Sequence, residues 1–113
     1  MAGEHLVARG YAIVDRNFRT SHGEIDLVAA NERFLVFCEV KSRIVEGPSA
    51  AYVPLASVGR SKRRRVREMA GRWLAERAAP GGRRPPEIRF DAIGITLGGD
   101  GGLLALDHVE DAF

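Results

Sequence analysis

Asp26, Glu39 and Lys41 have the types and the spacing to do chemistry. They lie in or just beyond two apolar runs, residues 25–30 and 34–40, that flank the polar break Asn31-Glu32-Arg33. Each run is strand length and rich in Val, Ile, Leu and Phe, so the stretch reads as a β-hairpin. Side chains alternate faces along a strand, which points Glu39 and Lys41 the same way. A two-residue turn at Glu32-Arg33 sets Asp26 opposite Glu39 and Glu24 opposite Lys41, and directly opposed Cβ atoms are roughly 4.5–5.5 Å apart. A turn at Asn31-Glu32 keeps Asp26 on the same face, diagonal to Glu39, whereas a slip of one residue sends it to the other face.

Two carboxylates that close repel, and one takes up a proton unless something positive intervenes. A hard divalent cation such as Mg²⁺ suits them, because it accepts a few carboxylate oxygens and keeps waters for a substrate phosphate. Lys41 beside it could orient or deprotonate a water, or stabilise charge building on a phosphate. The same residues also fit a cross-strand salt-bridge cluster at a sheet end. For any one charged strand residue that is the better reading. For the whole set on one face, a site is favoured, since ionised groups in a sheet are costly unless paired or holding a metal.

These residues must be positioned by one small domain of 113 residues, large enough for a single core. Its 45% hydrophobic and 28% charged composition excludes disorder. Net charge is only +2, but the pI is about 9.1 and the arginines are unevenly placed. Cys38 is the sole cysteine, so no internal disulfide forms. It lies on the strand face opposite Glu39 and reads as an inert core thiol. No apolar run approaches the roughly 20 residues of a membrane span. The N-terminus lacks the basic and apolar regions of a signal peptide, so a cytosolic protein is expected.

Residues 2–9 suit a short helix ended by Gly10. His5 reads as a surface histidine. Residues 11–19 suggest a first strand, and Thr20-Ser21-His22-Gly23 a turn with a solvated His22. After the hairpin, residues 44–54 carry Gly47, Pro48 and Pro54 and read as a loop walling the site. Residues 58–78 form the main helix, with Val66, Met69, Ala70, Trp73, Leu74 and Arg77 on one stripe. Trp73 reads as a core anchor. Residues 79–86 make a Gly/Pro/Arg loop, 87–97 an alternating fourth strand containing Asp91, and 103–109 a last, edge strand.

The main helix begins with Arg60, then Lys62, Arg63, Arg64, Arg65 and Arg67. Such density destabilises an isolated helix, and cations at the positive end of the dipole add to the cost. A solvated basic face is the ordinary explanation. The density and the unfavourable dipole placement point instead to an anionic partner, a nucleic-acid backbone foremost. The stripe extrapolated backwards puts Lys62 and Arg63 on the sheet-facing side, towards the cleft.

Asp26 followed by Glu39-Val40-Lys41 resembles the PD-(D/E)XK nuclease motif, with Ile25 in place of its usual proline. Arg9-Gly10-Tyr11, Arg16-Asn17-Phe18-Arg19, residues 23–29, residues 36–43, Arg89-Phe90-Asp91 and residues 108–113 resemble, in that order, the YraN-like family of uncharacterised bacterial proteins. That family is placed in the same nuclease superfamily and related to Holliday-junction resolvases. The resemblance implies an α/β, restriction-endonuclease-like core: a mixed central sheet of about five strands, one long helix and a short N-terminal helix, all in one domain. It implies that Asp26 and Glu39 bind Mg²⁺ or Mn²⁺, that Lys41 is catalytic, and that Glu24 and Asp91 are further acidic positions of the site. Resolvases of this class act as homodimers. Two departures stand out. Relatives carry a glutamate further before the Gly-Tyr pair, whereas Glu4 precedes Tyr11 by only seven residues, so the helix is short by about a turn or the chain starts upstream. Arg63 stands where relatives often carry glutamine.

Three functions follow. The leading one is a metal-dependent phosphodiesterase acting on DNA, branched DNA included. Its rival is a nucleic-acid-binding or recruiting protein that keeps the nuclease fold with weak or no turnover. The third is a structural domain whose charges are only salt bridges.

Overall fold

The computed structural model describes residues 1–45, 60–77 and 87–112. Helix α1 (Ala2–Ala8) leads into β1 (Ala12–Thr20), β2 (Gly23–Ala30) and β3 (Phe34–Val45); α2 (Arg60–Arg77) precedes β4 (Glu87–Gly98) and β5 (Leu103–Val109). The strands form one sheet in the order β1-β2-β3-β4-β5. Only β3 and β4 are parallel, with α2 in the connection between them. This is the mixed sheet with flanking helices of a restriction-endonuclease-like core.

Helix α1 is brief because the chain turns at Gly10, whose φ of +93° suits glycine. The Gly10 amide donates to Val7 O and the Tyr11 amide to Leu6 O, both at 3.0 Å, closing a Schellman turn. Leu6 and Tyr11, the apolar pair of that motif, are buried in one cluster with Leu27, Val36, Cys38 and Ile93. The other sheet face packs under α2 through Met69, Ala70 and Trp73, as the stripe predicts. Trp73 meets Phe37 edge to face with centroids 5.6 Å apart. Its indole N–H donates to Asp15 Oδ2 at 2.9 Å, which, as the largest influence, holds that carboxyl below the usual carboxylate range; burial opposes it, and Arg16 N–H and Arg77 reinforce it.

The hairpin takes the register of a turn at Glu32-Arg33, with Leu27 opposite Cys38 and Ala30 opposite Leu35. Asn31 Oδ1 accepts the amides of Arg33 (2.9 Å) and Phe34 (2.6 Å), which fixes the turn.

Three expectations change. β3 runs on to Val45, past the start of the loop expected from residue 44. It stays extended because β4 pairs with it residue for residue, up to Val45 beside Gly98, and satisfies its backbone groups. β4 is buried on both faces from Arg89 to Thr96 instead of alternating, since α1 and α2 cover opposite sides of the sheet at this interior strand. His5 is half-buried and reaches His108 on β5. The remainder of the loop expected at 44–54, from residue 46 on, and the loop expected at 79–86 lie outside the described residues. Among those described, no helix is long and apolar enough to cross a membrane.

Candidate functional site

β2 and β3 pair only as far as Leu27 and Cys38. Beyond that point the Asp26 side chain enters the gap, and its Oδ2 accepts the Val40 amide at 2.7 Å. The alternation of β2 breaks at the same residue. Ile25 and Val28 both pack under α2, while Leu27 between them faces α1. On β1 the break is matched by Asn17, at φ +51°, between Arg16 opposite Leu27 and Phe18 opposite Ile25. The parted strands open a cleft of about 440 Å³ on the α1 side. Asp26, Arg16, Asn17 and Ser42 give it polar walls; Leu27, Val40, Ile95 and Leu97 give it apolar ones, and Met1–Gly3 border it.

Glu39 and Lys41 flank Val40, beside Ala92 and Gly94 of β4. The β3–β4 register has no shift, so alternation from Phe37 turns both towards the α2 face, while Val40 and Ser42 line the cleft. Asp26 is tied to the backbone midway between them, and successive Cα atoms are about 3.8 Å apart. Asp26 thus meets the β3 backbone between Glu39 and Lys41 from the cleft on the α1 side, while those two side chains turn towards α2. Glu24 does not reach the expected register with Lys41: it lies opposite Arg19 on β1 and pairs with it at 3.3 Å.

Asp91 is fully buried, 0% exposed. Its Oδ1 accepts Arg89 Nε (2.8 Å) and the Asp111 amide (3.1 Å); its Oδ2 accepts Arg89 Nη2 (2.8 Å) and His108 Nε2 (2.7 Å). A carboxylate offers about four acceptor sites, and all are used. Burial alone would raise this carboxyl, but the bonds from His108, Arg89 and the Asp111 amide outweigh it and hold it low. Arg89 Nη2 also donates to the Tyr11 hydroxyl at 2.7 Å. Burial pushes the Cys38 thiol far up, and the charges of Asp91, Asp26 and Glu39 add to that, as an inert core thiol requires.

Among the described residues no three His, Cys, Asp or Glu side chains converge as a metal cluster. Asp26 and Glu39 are nonetheless hard oxygen donors of the kind Mg²⁺ takes one or two at a time, with water and phosphate oxygens completing the shell.

The profile of the uncharacterised protein family UPF0102 matches residues 1–95. The chain belongs to this family. A UPF0102 protein of Rhodococcus jostii (strain RHA1) is 41% identical over all of this chain and 89% of its own length. One from Frankia alni is 41% identical over 100% and 88%, and one from Geotalea uraniireducens 39% identical over 96% and 80%. UPF0102 is the YraN-like family to which the sequence motifs point.

In this UPF0102 chain α2 carries Arg64, Arg65 and Arg67 exposed, with no acidic residue in its first turn. The Arg67 guanidinium lies over the Phe90 ring, 4.8 Å from its centroid. Arg60, Lys62 and Arg63 belong to the same helix, and their side chains lie outside the described residues. Sequence reasoning missed the Tyr11–Arg89–Asp91–His108–His5 chain. Its one local signal is Arg89 and Asp91 two apart, on one face of a strand.

Proposed function

We propose that this UPF0102 chain is a single nuclease-like domain that binds nucleic acid, DNA foremost, along α2 in the cytoplasm, with weak or no turnover of its own. The observation that carries this is the run of exposed arginines on α2 without an acidic residue in its first turn. Such a surface meets the phosphate backbone and releases its counterions. The acidic groups favour binding over vigorous chemistry, because Asp91 has its acceptor sites filled and no third ligand joins Asp26 and Glu39 among the described residues.

A second function, Mg²⁺- or Mn²⁺-dependent hydrolysis of DNA phosphodiesters, branched DNA included, has one specific support. The Asp26–Val40 bond brings Asp26 to the β3 backbone between Glu39 and Lys41, and the three follow the order of the PD-(D/E)XK pattern. Asp26 and Glu39 would hold the ion, which when bound supplies charge for an attacking water and a leaving oxygen. Lys41 would orient the water or stabilise charge on the phosphate.

The test uses purified protein with linear, single-stranded and four-way-junction DNA, with Mg²⁺ or Mn²⁺. Binding without cleavage is expected. Absence of binding to every substrate at low salt overturns the proposal. Metal-dependent cleavage that Asp26→Asn abolishes establishes the second function in its place.

A further inference from the structure

The turn between β1 and β2 is fastened to α2 beside its arginines. The Thr20 hydroxyl donates to Met69 Sδ at 3.1 Å and accepts the His22 amide at 3.0 Å. Gly23, at φ +146°, lets the turn close on the helix: a Cβ there would lie 3.3 Å from Arg65 Cδ. Arg72, two turns beyond Arg65 on α2, brings Nη2 within 3.2 Å of His22 Nε2. A guanidinium has no lone pair to offer, so Nε2 accepts and the ring proton sits on Nδ1, which donates to Ser21 Oγ at 3.1 Å. An exposed imidazole therefore presents its acceptor nitrogen to an exposed guanidinium.

Resting on the nucleic-acid reading above, we propose that His22, Arg72 and Arg65 form a binding site for one backbone phosphodiester, which continues the α2 surface onto the β1–β2 turn. A phosphate offers two anionic oxygens where Arg72 meets His22. One accepts from Arg72. The other accepts from His22 Nε2 once that atom takes a proton from solvent, so no lone pair is left facing the anion. Binding and protonation at His22 then favour each other, because two adjacent cations are tolerated only with the anion between them. Among the described residues, Arg19 is paired with Glu24 across β1 and β2, and Glu68 and Glu76 each stand four residues from Arg72 on α2.

The experiment is fluorescence anisotropy with a labelled duplex at pH 8 and at pH 5.5, on wild type, His22→Gln and Arg72→Ala, with inorganic phosphate as a competitor. His22→Gln keeps an acceptor for Arg72 and cannot be protonated. Wild type should bind more tightly at pH 5.5. His22→Gln should lose most of that gain, and Arg72→Ala should weaken binding roughly tenfold with a shallower salt dependence. Inorganic phosphate that displaces the duplex only at concentrations far above that of the duplex assigns the site to the polymer backbone. Displacement at comparable concentrations makes it a site for free phosphate and overturns the proposal. If wild type binds and both variants match it at both pH values, the site is wrong while the α2 surface stands. If wild type binds nothing, the nucleic-acid reading and this site fall together.

Discussion

Asp26 Oδ2 holds the amide of Val40 at 2.7 Å, at the residue that separates Glu39 from Lys41. The bond replaces the ladder where β2 and β3 part, so the carboxylate satisfies a backbone donor that the ladder no longer reaches. Asp26→Asn retains an acceptor for that amide and should fold within about 1 kcal/mol of wild type. Asp26→Ala leaves the amide without it and should cost roughly 1–3 kcal/mol in urea denaturation. If Asp26 binds Mg²⁺, the thermal shift produced by Mg²⁺ in wild type should vanish in Asp26→Asn. An equal shift in both proteins removes the ion from Asp26.

Lys41 separates the two functions. Lys41→Met keeps the aliphatic stem. If the protein hydrolyses DNA and Lys41 acts on water or on the transition state, single-turnover cleavage should fall roughly 10²–10³-fold with binding nearly intact. Lys41→Arg should not restore it, since a guanidinium cannot replace a compact ammonium. A Lys41→Met protein that cleaves as wild type does takes the lysine out of the mechanism.

Neutralising Arg64 and Arg65 together should weaken binding to all duplex sequences alike. The slope of log affinity against log salt should drop by about 0.9 for each phosphate that the protein no longer neutralises. An unchanged slope would falsify the assignment of these arginines to the nucleic-acid backbone.

Asp91→Ala leaves Arg89 buried without its carboxylate and should destabilise by about 3–5 kcal/mol. The Asp91 bond chiefly raises the Arg89 pKa in the wild type, and without it a guanidinium still keeps its proton, so Arg89 cannot relieve the strain by becoming neutral. Chemical denaturation reads the loss directly, and a change below about 1 kcal/mol would show that Asp91 is not the hub of that network.

His5 makes stability depend on pH. Its Nε2 lies 3.1 Å from His108 Nδ1, and His108 Nε2 points at Asp91. The two facing nitrogens share one proton; two would clash. Burial, then the charges of His108 and Arg9, lower the His5 pKa from 6.5. The unfolded chain therefore takes up that proton first. The contribution is whole above pH 6.5 and is lost as pH falls through the lower, folded value. Urea midpoints should decline from pH 7.5 to 5, and His5→Gln should flatten the decline. Parallel profiles in the two proteins would assign it to other groups.

Local chemistry determined much of this protein before any fold was known. The hairpin register follows from a turn at Glu32-Arg33, the α2 stripe from 3.6-residue periodicity, and the end of α1 from Gly10, because each depends on neighbours a few residues away. Asp26, Glu39 and Lys41 stood out because charge inside an apolar strand is conspicuous. The tertiary structure alone decided the rest. Local alternation cannot show that β4 is covered on both faces, which depends on the docking of α1 and α2, or that β3 continues to Val45, which depends on a parallel partner more than forty residues away. His5 reads as a surface residue until α1 docks on the sheet and brings it to His108, 103 positions along the chain. Glu24 turned to Arg19 and not to Lys41 because β2 leaves β3 at Asp26, a parting matched by the positive φ of Asn17 on a third strand. Such pairings join groups that sequence keeps apart, and only the packing of whole elements brings them together.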